Sequence, residues 1–171
     1  MKVDYNTLIS QIYTNITSNS SFDPTDDTNR LVNYVARTRV ILANLSPYLN
    51  IWIDGKLTES HRAIGYNPFP IVRVMFRIVT MFPGEATPSA LLTAMGISKI
   101  ENHEQADEEI LRLLDALEEH MRATANRKLG ITINSIQETE VGSNKIYQLK
   151  EGDNKYINVA ELNVDLHMRL T

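Results

Sequence analysis

Apolar and polar residues keep helical spacing in the first part of the chain, switch to strict alternation after Pro47, and do so again near the end. Residues 4–17, "DYNTLISQIYTNIT", set Leu8, Ile9, Ile12, Tyr13 and Ile16 along one helical face, with Asp4 or Asn6 as the cap. The stretch "SNSSFDPTDD" gathers turn-forming side chains and reads as a connection. A second helix is predicted from about Thr28 to Leu45, where Leu31, Val32, Val35, Ile41, Leu42 and Leu45 form an imperfect apolar face that ends at Ser46-Pro47.

Beyond Pro47 the period becomes two. "YLNIWIDG" alternates Leu49, Ile51 and Ile53 against Asn50, Trp52 and Asp54, and Asp54-Gly55 signals a turn. The polar "KLTESHRAIGYNPFP" reads as a loop. Residues 71–81 follow as a strand with Val72, Val74, Phe76 and Ile78 on one face and Arg73 and Arg77 on the other. Pro83-Gly84 ends it, and "TPSALLTAMG" predicts a short helix begun by Pro88 and stopped by Gly96.

Residues 104–128 predict a long amphipathic helix, with Ile110, Leu113, Leu114, Leu117 and Met121 on one face, acids in the first turn and Arg127 and Lys128 at the far end. Gly130 closes it. The remainder is strand-like: "ITINSIQETEV", a turn at Gly142-Ser143-Asn144, "KIYQL", a turn in "KEGDNK", and "YINVAELNVDLHMRLT". In the last segment Ala160, Leu162, Val164, Leu166, Met168 and Leu170 oppose Glu161, Asn163, Asp165, His167 and Arg169. Such a strand spans about 50 Å when straight and would run the length of the sheet.

The two arginines of the most hydrophobic run thereby acquire candidate partners. Antiparallel pairing of 71–81 with the C-terminal strand, Arg73 opposite Asp165, also sets Arg77 opposite Glu161, Phe76 opposite Leu162, Val74 opposite Val164 and Val72 opposite Leu166. Every pair then matches in character, each contributing roughly 0.2 to 1 kcal/mol. Arg73, Arg77, Glu161 and Asp165 are therefore the candidate site residues. Ion pairs across the sheet are the favoured reading, with an anion-binding or channel-lining role and a subunit boundary as the other two. The expected fold class is α+β: an antiparallel sheet of about four strands packed against a long amphipathic helix, with N-terminal helices. A single domain is expected over residues 1–171, with 1–22 at its periphery.

Composition narrows the chemistry. At 43% hydrophobic and 22% charged residues the chain is of globular type. It has no cysteine, which excludes disulfides, thiolate nucleophiles and cysteine-ligated zinc. No run of 18 apolar residues is present and the N-terminus lacks a signal-type apolar core, so a soluble protein of a reducing compartment is expected, without glycosylation at Asn15, Asn19 or Asn44. The formal net charge of −4, with its basic residues dispersed, argues against a nucleic-acid binder.

His61, His103, His120 and His167 show no metal-ligand spacing and read as solvated surface residues, His120 on the exposed side of its helix. The acidic runs at 107–109 and 118–119 fit a solvated helix face. No G-x-S-x-G, phosphate-binding or dinucleotide-binding glycine pattern occurs. No catalytic residue, cofactor or metal is expected.

In the order of its elements the chain resembles the tail terminator (tail completion) proteins of long-tailed bacteriophages. The resemblance rests on "YLNIWIDG", "FPIVRVMFRIVTM", "ADEEILRLLDALEEHM" and "YINVAELNVDLHMRLT", and covers roughly residues 30–171 as an arrangement. It implies a structural virion protein, not an enzyme, that forms a hexameric ring at the head-proximal end of the tail. Such a ring caps the tail tube, joins it to head-connector proteins and lets DNA pass through its lumen without sequence-specific contact, and it assembles in the host cytoplasm. Segment "DGKLTESHRAIGYNPFP" and the hairpin around Gly142 would supply contacts. The helical start at 4–17 and "PGEATPSALLTAMGISKIENHEQ" exceed the plainest members. Another neck or tail component, or a small ligand-binding or regulatory α+β domain, are the other readings of the same layout.

Overall fold

The computed structural model describes residues 4–41, 45–58, 70–83, 94, 96, 99–123, 126–132 and 135–169. Its elements are α1 (Tyr5–Thr17), a 3-10 turn (Ser20–Phe22), β1 (Tyr34–Ala36), β2 (Tyr48–Thr58), β3 (Pro70–Phe82), α2 (His103–Arg122), β4 (Ser135–Glu151) and β5 (Lys155–Arg169). Among the described residues the strands form one sheet in the order β1-β2-β3-β5-β4. β1 runs parallel to β2, and every other neighbouring pair is antiparallel.

Alternation explains why β3 sits in the middle. A strand with one wholly apolar face needs a covered side, and Val72, Val74, Phe76 and Ile78 are fully buried with Leu162 and Leu166 of β5 beside them. The helices supply the cover. Leu8, Ile12 and Ile16 of α1 and Ile110, Leu113, Leu114, Leu117 and Met121 of α2 pack into this same core. Each such side chain contributes about 1.5 to 3 kcal/mol by leaving water, which outweighs the weak intrinsic helicity of the β-branched, threonine-rich α1. Asp4 caps α1, its Oδ1 accepting from the Thr7 N–H at 3.1 Å, and Asn102 caps α2, accepting from the Gln105 N–H at 2.9 Å.

The fold is α+β, but an antiparallel sheet of about four strands is not what forms. The described sheet has five strands and is mixed. The extra strand lies inside the segment expected to be a second N-terminal helix. Val32 and Val35 enter the core beneath the helices, whereas Ile41 and Leu45 pack with Tyr48, Val79 and Val159 on the opposite side of the sheet. A straight helix cannot deliver one apolar stripe to both faces of a sheet, so the chain adds β1 and then wraps around the β2 edge. Asp26 favours this start by accepting from the Thr28 and Asn29 N–H groups, which holds the chain in a turn.

Other boundaries shift for related reasons. The turn signal at Asp54-Gly55 becomes a register irregularity within β2, and that at Gly142-Ser143-Asn144 becomes one within β4, because both strands continue pairing beyond it. The principal helix stops at Arg122 instead of Lys128, and Gly130, with φ +68°, belongs to the connection after it. Within residues 4–22, Leu8, Ile12, Ile16 and Phe22 are completely buried. Of the loop expected at 56–70, Lys56, Leu57 and Thr58 extend β2 and Pro70 begins β3, while 59–69 and most of the short helix expected at 88–96 lie outside the described residues. Gly96 is described, with φ +77°.

Candidate functional site

The face of the sheet turned away from α1 and α2 collects the odd positions of β3 and β5 with the even positions of β2. Arg73 lies opposite Asp165, and Arg77 opposite Glu161, in an unbroken register from Ile71↔His167 to Phe82↔Tyr156. Arg73 meets Asp165 in a fork, Nε to Oδ1 and Nη2 to Oδ2, both at 2.7 Å. Arg77 directs Nε and Nη2 at one oxygen of Glu161, at 2.8 and 2.7 Å. The structure thus brings together all four candidate residues, as two pairs on one face of the β3–β5 ladder.

The two pairs differ in their surroundings. Arg77 is 14% exposed and its guanidinium stacks 4.7 Å from the Trp52 ring centroid, while Nη1 donates to the Arg39 carbonyl at 2.7 Å. Glu161 also accepts from the Tyr147 hydroxyl at 3.1 Å, and the Lys145 ammonium lies 5.1 Å from the Tyr147 ring centroid. Burial raises the Tyr147 phenol above its ordinary value, with the Glu161 charge and hydrogen bond adding to the effect and Arg77 opposing it. Arg73, by contrast, is 35% exposed. Its hydrogen bonding to Asp165 raises the guanidinium further above its ordinary value, helped by the charges of Asp165 and Asp54 and opposed by burial.

The segment 37–41 wraps over one end of this face. Arg39 donates from Nη2 to the Ile53 carbonyl at 3.0 Å, and buried Asn50 donates from Nδ2 to the Val40 carbonyl at 2.8 Å. Beside the ion pairs, His167 and Glu140 approach within 3.6 Å. Trp52, Tyr147 and Arg39 complete the Arg77 site and were not singled out from sequence. Trp52 had a readable signal, because alternation puts it on the same side of β2 as Asn50 and Asp54. Arg39 had none, since its part comes from a backbone carbonyl.

A second polar cluster overturns the surface reading of His120. This residue is 8% exposed and lies between α1 and α2. Its Nδ1 accepts from the Nδ2 groups of Asn19 and Asn126, at 3.0 and 3.2 Å, and its Nε2 donates to Asn15 Oδ1 at 3.2 Å. Asn126 also donates to the His120 carbonyl at 3.0 Å and accepts from Asn15 Nδ2 at 3.2 Å. The asparagines therefore select the neutral Nε2–H tautomer. Burial lowers the imidazole below its ordinary value, opposed by the hydrogen bond to Asn15. Glu109, expected on the solvated acidic face, is also fully buried.

Chemically, both clusters hold their groups still. The arginines are committed to carboxylates and the imidazole to amides, so none is poised as a free acid, base or nucleophile. Among the described residues no three histidine, aspartate or glutamate side chains converge as a metal site. An open groove of about 520 Å³ on the outer side of α1 is lined by Asn6, Thr7, Ser10, Gln11 and Thr14. Uncharged side chains on one helix give it little to polarise a substrate with. Fold and site together define an α+β protein whose sheet is covered by helices on one face and by paired charges on the other. No protein-family model and no curated protein sequence matches the chain.

Proposed function

We propose that this chain is a structural subunit of a bacteriophage tail, a tail terminator that forms a ring on the head-proximal end of the tube and joins it to the head connector. The observation that carries this reading is the ion-paired face of the sheet. Arg77, Glu161, Trp52 and Tyr147 make a rigid centre there, and around it Arg73, Asp165, Asn163 and Glu140 keep polar atoms in reach of a neighbouring protein. Contact surfaces of assembled proteins combine arginine and aromatic anchors with a polar surround in this way. A small-molecule site is instead a concave cleft that buries most of its ligand, and the groove along α1 is open.

On this reading the protein has no catalytic residues, takes no cofactor and works in the virion after assembly in the host cytoplasm. Its partners are further copies of itself, the tail-tube protein and the head connector, with DNA passing through the lumen. The test is the solution mass by light scattering across concentration, with and without purified tail-tube protein. With tube protein present, a hexameric mass or a stable complex that halts tube growth is the expected result. A monomer under every condition, indifferent to tube protein, would overturn the reading in favour of a ligand-binding domain.

A further inference from the structure

The described sheet ends on one side in β1, three residues long, and on the other in β4, seventeen residues long. A long edge strand presents a row of unpaired N–H and C=O groups to any strand that can lie beside it. Downstream of the irregularity between Val141 and Asn144, β4 pairs with β5 without further interruption as far as Glu151. Ile146 and Leu149 on this stretch are 44% and 40% exposed, and no proline interrupts it.

Two copies that meet at this edge across a two-fold axis run antiparallel, with the axis perpendicular to the sheet. That axis keeps the faces of each sheet, and opposed residues of an antiparallel pair share a face. A residue can therefore oppose only residues an even number of positions away, so the axis passes through a residue. Centred on Gln148, the pairing sets Lys145 against Glu151, Tyr147 against Leu149 and Ile146 against Lys150, each on both sides of the axis. Centred on Tyr147, Lys145 would oppose Leu149 and no unlike charges would meet. Centred on Leu149, the ladder would run into the turn at Gly152, whose φ is +72°.

The Gln148 register also continues a row already present within the chain. Glu161 has Arg77 opposite it on one side and Lys145 on the other, and Glu151 has Lys155 opposite it. With a second copy alongside, the signs alternate from Arg77 through Glu161 and Lys145 to the second copy's Glu151 and Lys155. We infer that this protein pairs with a second copy of itself through residues 145–151 of β4, joining two sheets into one with the helices of both copies on one side. The pairing stands apart from the terminator reading, because a closed two-fold contact differs from the head-to-tail contacts that build a ring.

The test is sedimentation equilibrium on the full chain, on Lys145→Glu, on Glu151→Lys, and on an equimolar mixture of the two variants, with far-UV circular dichroism to establish folding. Wild type is expected at twice the 19.4 kDa of one chain. Either reversal sets like charges against each other at both contacts and weakens dimerisation about tenfold or more. Mixing restores the dimer, because both contacts between unlike variants again oppose unlike charges. Glu151→Lys leaves Arg77, Glu161 and Lys145 intact and serves alone if Lys145→Glu does not fold. A wild-type monomer at the highest attainable concentration overturns the inference, as does a dimer indifferent to both reversals. So does a mixture that fails to recover. A hexamer unaffected by either reversal overturns it while leaving the ring reading standing.

Discussion

Removing the Glu161 carboxylate should cost this protein more than removing that of Asp165, although both face an arginine across the same two strands. Glu161 is 17% exposed and Arg77 14%, and the arginine is held under Trp52 by the ring stack and by the Arg39 carbonyl. In Glu161→Ala the guanidinium keeps its charge, loses two hydrogen bonds and cannot swing freely into water, while the Tyr147 hydroxyl loses its acceptor. Breaking a fully buried pair costs about 3 to 5 kcal/mol. This pair retains some solvent, so about 2 to 3 kcal/mol is expected. Arg73 is 35% exposed and has Asp54 nearby, so Asp165→Ala should cost only about 1 kcal/mol.

Urea unfolding resolves the difference, since about 2 kcal/mol corresponds to a midpoint shift near 1 M at an ordinary denaturant slope. Trp52 is the only tryptophan in the chain and lies against Arg77, so its emission follows the site and the unfolding together. The double variant Arg77→Met with Glu161→Leu removes both charges and should return to within about 1 kcal/mol of wild type. Equal costs for the two alanine variants, or a loss under about 0.5 kcal/mol for Glu161→Ala, would refute the idea that burial separates the pairs.

Burial holds His120 below its ordinary value of 6.5, so on acidification the unfolded chain takes up a proton before the folded one does. Its contribution is complete above the unfolded value, and falls by at most about 1.4 kcal/mol per pH unit until the pH passes below the folded value; His120→Gln should flatten melting temperature between pH 5 and 6.5, and an unchanged slope would count against the buried neutral tautomer. Gly130→Ala places a Cβ 2.9 Å from the Asn15 Cβ at φ +68°, and should cost about 1 to 3 kcal/mol in thermal or urea unfolding. Gly142→Ala meets the movable amide end of Asn163 and should cost less than Gly130→Ala, with Asn163→Ala recovering most of the loss. Asn102→Ala removes the α2 cap and should cost about 1 kcal/mol, with helical circular dichroism falling slightly.

What the sequence could specify was whatever repeats within a few residues. The alternation in 70–82 and 156–167, with charges four positions apart on both strands, admits one antiparallel register in which both arginines oppose acids, and that register forms. The apolar stripes of α1 and α2 were equally legible, because a helix face is set by spacing alone. The cap was legible as a choice between Asp4 and Asn6, and Asp4 makes it.

Tertiary structure decided the features that depend on distant chain. Residues 31–45 carry apolar positions for two faces of one sheet, which a single helical period disguises, and only the presence of β2 shows where the chain crosses the edge. His120 looks solvated within "LEEHMR" because the residues that enclose it, Asn15 and Asn19, lie more than a hundred positions earlier. Gly142 and Gly55 signal turns locally, yet pairing with β5 and β3 carries both strands past them. In each case a local preference worth about 1 kcal/mol or less met a gain from burial or strand pairing several times larger, and that long-range gain set the structure.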